Sequence, residues 1–176
     1  MIIPQIIWGG ADVLPTYYGE KSSKFAQLHD VNADERDFAL IQKAIDNHRP
    51  VIGVCRGAQL LCIANGGKLY QHSHPARQHH EIATNDGNIF YGVAAGHHQI
   101  MRPHGNYELL GWNPGETAVW VTDDKPTIMK DCAEIVWFPE TQCLAIQPHP
   151  EWETEETDFV KWINAKIKSL GIDFKF

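Results

Sequence analysis

Short apolar runs alternate along this chain with longer stretches in which an apolar residue returns every third or fourth position. Runs of the first kind read as buried strands, and stretches of the second kind as helices with one face on a core. Gln5-Ile6-Ile7-Trp8 predicts a buried strand that ends in Gly9-Gly10, where consecutive glycines permit unusual backbone angles and can offer N–H groups to an anion. Residues 11–31 are polar and irregular, with Pro15, Tyr17, Tyr18 and Gly19, and predict a long surface loop of the kind that often carries function. A helix capped by Asn32 or Asp34 and running to about Asn47 follows, with Phe38, Ile41 and Ile45 on one face. Pro50 stops it and opens the strand Val51-Ile52-Gly53-Val54; a helix from Gly57 then turns Leu61 and Ala64 inward and ends at Asn65-Gly66-Gly67. Strand, helix, strand and helix in succession argue for a parallel sheet with helices packed on it.

The middle of the chain is less regular. Lys68-Leu69-Tyr70-Gln71, Ile89-Phe90-Tyr91 and Ala118-Val119-Trp120-Val121 predict short strands, read as antiparallel pieces and connections rather than further βαβ units. Ile135-Val136-Trp137-Phe138 and Cys143-Leu144-Ala145-Ile146-Gln147 flank Pro139-Glu140-Thr141-Gln142 and predict a hairpin whose second strand delivers Pro148-His149-Pro150-Glu151-Trp152. Beyond Thr154, the acidic Glu155, Glu156 and Asp158 suit a helix start, Phe159, Trp162, Ile163, Ile167 and Leu170 form its apolar stripe, and Gly171 stops it. That stripe is core packing. No internal repeat or linker interrupts the series, so residues 1–176 read as a single domain.

Charge narrows the partners. With 15 Lys+Arg against 22 Asp+Glu and no basic cluster, the chain offers no nucleic-acid surface, and a small polar metabolite is the expected ligand. Cys55, Cys62, Cys132 and Cys143 form no C-x-x-C pair, and Met1-Ile2-Ile3-Pro4 lacks the charged start and apolar run of a signal peptide, which together predict a reduced, cytoplasmic protein. No apolar stretch approaches the ~20 residues of a membrane span. The histidines His72, His74, His79 and His80 invite a metal reading, and a metal-dependent hydrolase would follow from it. They come without a Cys or carboxylate set at zinc-site spacing, so a solvated loop is preferred, with no metal and no cofactor expected.

Two segments carry candidate chemistry. In Gly53-Val54-Cys55-Arg56-Gly57 small residues flank a cysteine at a strand-to-helix turn, an arrangement that can hold the side chain clear of a sharp bend as in the nucleophile elbow of serine hydrolases. The N-terminus of the following helix favours a thiolate and predicts a lowered pKa. A buried cysteine at an ordinary junction is the alternative. His149 stands between two prolines that limit its backbone and deny helix. Glu151, two residues on, would point to the same side if the segment stays extended, giving a base and the acceptor that orients it.

Gly53-Val54-Cys55-Arg56-Gly57-Ala58-Gln59, Gly66-Gly67 and Gln147-Pro148-His149-Pro150-Glu151 resemble the class I glutamine amidotransferases, most of all the γ-glutamyl hydrolase branch called peptidase C26, which includes γ-glutamyl-γ-aminobutyrate hydrolases. The branch's features recur in order over nearly the whole chain: Gly9-Gly10, Asp12-Val13, Tyr18-Gly19-Glu20, Arg36-Asp37, Gly66-Gly67-Lys68-Leu69-Tyr70-Gln71, His97-His98-Gln99 and Trp152. Ala95-Gly96 stands where the family often has Asn or Ser before the first histidine of its His-His-Gln segment. The resemblance implies an α/β, flavodoxin-like, mostly parallel sheet with flanking helices and some antiparallel strands. It implies Cys55 as nucleophile, His149 as proton carrier and Glu151 as its orienting group. The backbone N–H groups of Gly10 and Arg56 would form the oxyanion hole, and Gly9, Gln59, His98 and Gln99 would bind substrate. The implied reaction is hydrolysis of a γ-glutamyl amide, glutamine or a γ-glutamyl amine, through a thioester. A glutaminase subunit that passes ammonia to a separate synthase, and an idle binding module of the same fold, are the alternatives. Members of the branch usually carry one or two further βαβ units, each of ~30 residues, before the strand matching Ile6 to Trp8. Their absence here predicts a sheet edge covered by a second copy or another partner.

Overall fold

The computed structural model describes residues 2–28 and 31–176, so residues 29 and 30 of the expected surface loop lie outside the described residues. In chain order the elements are β1 (Gln5–Ile7), α1 (Val31–Asp46), β2 (Val51–Val54), α2 (Arg56–Ala64), β3 (Lys68–Tyr70), β4 (His72–His74), β5 (His80–Thr84) and β6 (Ile89–Val93). They continue as β7 (Ile100–Arg102), β8 (Glu108–Asn113), β9 (Thr117–Trp120), β10 (Thr127–Met129), β11 (Cys132–Phe138), β12 (Cys143–Ile146) and α3 (Asp158–Ser169).

One sheet runs in the order β1-β2-β12-β11-β8-β5-β6, and β3 and β7 join it through β11. β1, β2 and β12 are parallel, with Ile6 opposite Ile52 and Leu144 opposite Ile52 on the other side. From β11 onward the pairing is antiparallel, so the pieces expected in the middle of the chain extend the same sheet. β4, β9 and β10 form a small separate sheet. Part of the histidine-rich segment is therefore strand rather than solvated loop: His72 and His74 lie in β4 and His80 in β5. The expected hairpin is β11–β12, closed by Phe138 opposite Cys143.

The sheet separates two apolar clusters. On one side Ile41, Leu60, Leu61, Leu69, Val136 and Phe138 pack between the sheet, α1 and α2. On the other Ile52, Ile135, Leu144, Ile146 and Phe159, Ile163 and Ile167 of α3 meet. β2 and β12, buried along their whole length, read as continuous apolar runs because both their faces are covered. α2 is buried from Arg56 to Ile63, and Ala64, expected to face inward, is at its exposed end. Thr157 caps α3 by accepting from the Val160 N–H, as the acidic run before it suggested. The segment expected as a loop at residues 11–31 is tied down: Val13 and Tyr18 are core residues, and a 3-10 turn at Pro15–Tyr18 closes on Gly19. β1 ends the sheet, and Ile2, Ile3 and Trp8 beside it are exposed.

α2 sits unusually close to the strands it follows. A Cβ on Gly53 would lie 2.4 Å from the Gly57 carbonyl oxygen, and one on Gly57 would lie 2.0 Å from the Ile7 carbonyl oxygen. Both obstacles are backbone, so neither can swing aside. Gly57→Ala should therefore cost about 3 kcal/mol or more, read as a lower urea unfolding midpoint; an unchanged midpoint would show that β1 and α2 are not in this contact.

Candidate active site

The turn between β2 and α2 holds Cys55 at φ 54° and ψ −109°, a backbone conformation that side-chain-bearing residues rarely adopt. The strain is held in place from both sides: the Cys55 N–H donates to the Ile146 carbonyl at 2.8 Å, and the Cys55 carbonyl accepts from the Gln59 N–H at 3.2 Å. The side chain is thereby lifted off the turn at the N-terminus of α2.

His149 arrives at the same end of the sheet, beyond β12, which is the strand beside β2. Its N–H donates to the Ala94 carbonyl at 2.8 Å. Its Nδ1 lies 2.7 Å from Glu151 Oε1; the carboxylate only accepts, so Nδ1 carries the hydrogen and Nε2 is left with its lone pair. The sequence predicted this pair on an extended segment. The structure makes it instead on a 3-10 turn, Pro150–Trp152, with Pro150 at the first position, where its missing N–H leaves no bond unmade. Trp152 closes the turn by stacking on the imidazole, with ring centroids 3.5 Å apart and planes 2° from parallel.

Gly9 shows how the thiol and the imidazole are placed. The position a Cβ on Gly9 would occupy lies 3.4 Å from His149 Cε1, 3.5 Å from Cys55 Cβ and 4.0 Å from Cys55 Sγ. The two groups thus flank one stretch of side-chain-free backbone. Beside it, a cleft of about 80 Å³ is lined by Gly10, Cys55, Arg56, Gln59 and His98. Gln59 is buried there with its Oε1 lacking a hydrogen-bond partner among the described residues. Gln99 goes elsewhere. Alternate side chains of an extended stretch point opposite ways, and Gln99 is fully buried away from the cleft, its backbone carbonyl facing His97 Nδ1 at 3.1 Å.

Several residues of the cleft carried no signal in the sequence pattern. Asp12, Gln27 and Arg77 also line it. Asp12 sits 2.9 Å from His98 Nε2, and His98 Nδ1 lies 3.2 Å from His72 Nδ1. Arg56 Nη1 and Nη2 each donate at 2.5 Å, to Asp37 and Asp34, and Asp34 also accepts from the Leu14 N–H at 2.9 Å. These contacts fasten α1 and the loop before it to the turn that bears the cysteine. Residue separation hides them, although a charged residue in an otherwise apolar helix start was a visible sign that partners were needed.

The thiol departs from the sequence expectation. Burial pushes Cys55 up to about 12; the Arg56 N–H acts against this, while the negative charges of Glu151, Glu134 and Asp12 add to it. Helix-terminus stabilisation of a thiolate is therefore outweighed by desolvation, and the resting group is a neutral thiol at neutral pH.

The family model for peptidase C26 matches residues 4–111. The chain belongs to the peptidase C26 family. The glutamine amidotransferase-like protein YvdE of Lactococcus lactis subsp. lactis is 31% identical over 175 residues, covering 87% of this chain and 68% of YvdE. The γ-glutamyl-γ-aminobutyrate hydrolase of Escherichia coli O157:H7 is 24% identical over 166 residues, covering 83% of this chain and 62% of that one. This peptidase C26 chain thus spans about two thirds of the length of these relatives. Among solved structures, a GMP synthase-type glutamine amidotransferase protein from Thermoplasma acidophilum superposes with a TM-score of 0.61 at 15% identity, over 94% of this chain and 70% of that one. The fold is the flavodoxin-like α/β fold of the class I glutamine amidotransferases.

Two outcomes follow for this peptidase C26 site. Alkylation of Cys55 by iodoacetamide in the ligand-free protein should go on rising with pH past about 9; a plateau near neutral pH would mean a resting thiolate. Asp34→Ala leaves Arg56 short of a buried partner and should cost about 3–5 kcal/mol in urea unfolding, whereas a loss under about 1 kcal/mol would make the pair a surface-type contact.

Proposed function

We propose that this protein hydrolyses a γ-glutamyl amide, glutamine or a γ-glutamyl amine, through a thioester on Cys55. The observation that carries the proposal is the approach of Cys55 and the His149–Glu151 pair to the two sides of Gly9. A neutral thiol needs a base at the moment of attack. His149 Nε2 takes the Cys55 proton as Sγ bonds to the γ-carbonyl carbon, and Glu151 steadies the imidazolium that forms. The carbonyl oxygen, now negative, accepts from the backbone N–H groups of Gly10 and Arg56, held rigid by the Gly9-Gly10 loop and the start of α2. His149 then returns the proton to the leaving nitrogen, and ammonia or an amine departs with the C–N bond broken. Water, deprotonated by the same imidazole, opens the thioester, so glutamate leaves and the thiol is restored.

The cleft supports recognition of the glutamyl part. Arg56 commits its guanidinium to Asp34 and Asp37, whereas Arg77 is exposed at the rim with Nη2 donating to Gln27 and donors to spare for a carboxylate. Asp12, oriented by His98, is placed for an ammonium group, and the unpartnered Oε1 of Gln59 for an N–H. A free α-amino acid head group presents this combination of charges. The same first half-reaction would serve a glutaminase subunit that hands ammonia to a synthase, and the GMP synthase-type protein sharing the fold gives that partnership its form.

Incubation with glutamine and a panel of γ-glutamyl amines, following glutamate release, tests the proposal. Cys55→Ala should abolish release, and Arg77→Ala should raise KM about tenfold or more with a smaller change in kcat. Release that survives Cys55→Ala rules out the thiol mechanism. A preference for glutamine over every amine, with ammonia release increasing on addition of a synthase, favours the ammonia-donor role.

A further inference from the structure

Behind the wall of the cleft lies a second group of functional side chains. His80 of β5, His97 before β7 and Glu134 of β11 converge, with His80 Nε2 3.1 Å from Glu134 Oε1 and His97 Nε2 3.3 Å from Glu134 Oε2. The side chains of His97 and Glu134 are 5% and 1% exposed. Each imidazole is fixed from its far side by a backbone carbonyl: His80 Nδ1 lies 2.9 Å from the Gln78 oxygen and His97 Nδ1 3.1 Å from the Gln99 oxygen. A carbonyl only accepts, so both Nδ1 atoms carry hydrogen and both Nε2 atoms turn toward the carboxylate. Close as they are, His80 Nε2, His97 Nε2 and Glu134 Oε2 are buried without a properly aligned hydrogen bond among the described residues.

In their neutral forms these groups present two nitrogen lone pairs and a carboxylate to one point, an arrangement that needs positive charge between them. A proton is one occupant: burial works against it, Glu134 outweighs the burial, and His80 is pushed up to about 9. A metal ion is the other, and the details favour it. An Nδ1–H bound to a backbone carbonyl is the outer contact that orients metal-ligating imidazoles. The three donor groups lie within 4.8 Å of one another, compatible with the ~3.3 Å spacing that ~2 Å bonds impose around a tetrahedral ion. They also line a cavity of about 180 Å³ with Pro75, Asn113 and Thr117, room for a water or small ligand at a fourth position.

We propose that His80 Nε2, His97 Nε2 and a Glu134 carboxylate oxygen form a binding site for a divalent transition-metal ion of zinc type, with its fourth position facing this cavity. Two nitrogens and one carboxylate suit zinc or cobalt over magnesium or calcium, which take oxygen ligands. The site is separate from the thiol chemistry and stands whether or not Cys55 is a nucleophile. Its ion would join β5, β11 and the segment that places His98 in the cleft.

Cobalt(II) titration of the full chain carrying Cys55→Ala, which removes a competing thiolate, tests the site optically. Binding of one equivalent with the strong visible d–d bands of a four- or five-coordinate ion is expected. His80→Asn should weaken it at least tenfold, while His79→Asn and His72→Asn leave it unchanged. Circular dichroism checks that each variant is folded, and a zinc-dependent rise in the melting temperature of the unaltered chain gives a readout that needs no variant. Absence of both the bands and the rise, or bands that persist in folded His80→Asn, would overturn the proposal and leave the cluster to a proton.

Discussion

The contact on which the rest of the molecule depends is that of the first turn of α2 with the backbone of β1 and β2. Gly53 and Gly57 leave no room for even a methyl group there, because the carbonyl oxygens of Gly57 and Ile7 already fill it. This closeness forces Cys55 out of the ordinary backbone regions, sets the helix start beside the sulfur, and lets the Gly9-Gly10 loop pass directly over the turn. Arg56, gripped by Asp34 and Asp37, keeps α1 from pulling away on the outer side. A local steric condition thus becomes a condition on the relative position of two helices and three strands.

Much of this was readable from residue order, because the decisive features are local. The glycines around Cys55, the period of the apolar residues in α1 and α3, and the hairpin that ends at His149 each lie within one segment. What escaped were relations between segments. Nothing in the sequence spacing joins His80 and His97 to Glu134, or Asp34 to Arg56, because the sheet order that brings them together is a tertiary fact. The misjudged thiol has a similar cause: a helix start is visible in sequence, but the burial that outweighs it is not. The His149–Glu151 pair came out right by a different route, a tight turn in place of an extended strand.

The two polar centres are stacked through the same short stretch of chain. His98 faces the cleft and Asp12, while its neighbour His97 faces Glu134, whose backbone carbonyl in turn accepts from the Gln147 N–H at 2.8 Å. Gln147 reaches back to the Cys55 carbonyl at 3.4 Å. Any displacement of Glu134 would therefore reach the strained cysteine through two hydrogen bonds, and the wall of the cleft through one peptide. Buried polar groups so arranged are a source of rigidity when satisfied and of motion when they are not.

Trp152 is largely exposed, yet one face of its indole is given over to His149. An electron-rich ring lying flat on an imidazole attracts it more strongly once it is cationic, and it keeps bulk water off that side. It also couples an emitter of light to a proton carrier, since an imidazolium in contact with an excited indole accepts its electron and dims it. The protein consequently bears its own optical gauge of which way the proton stands.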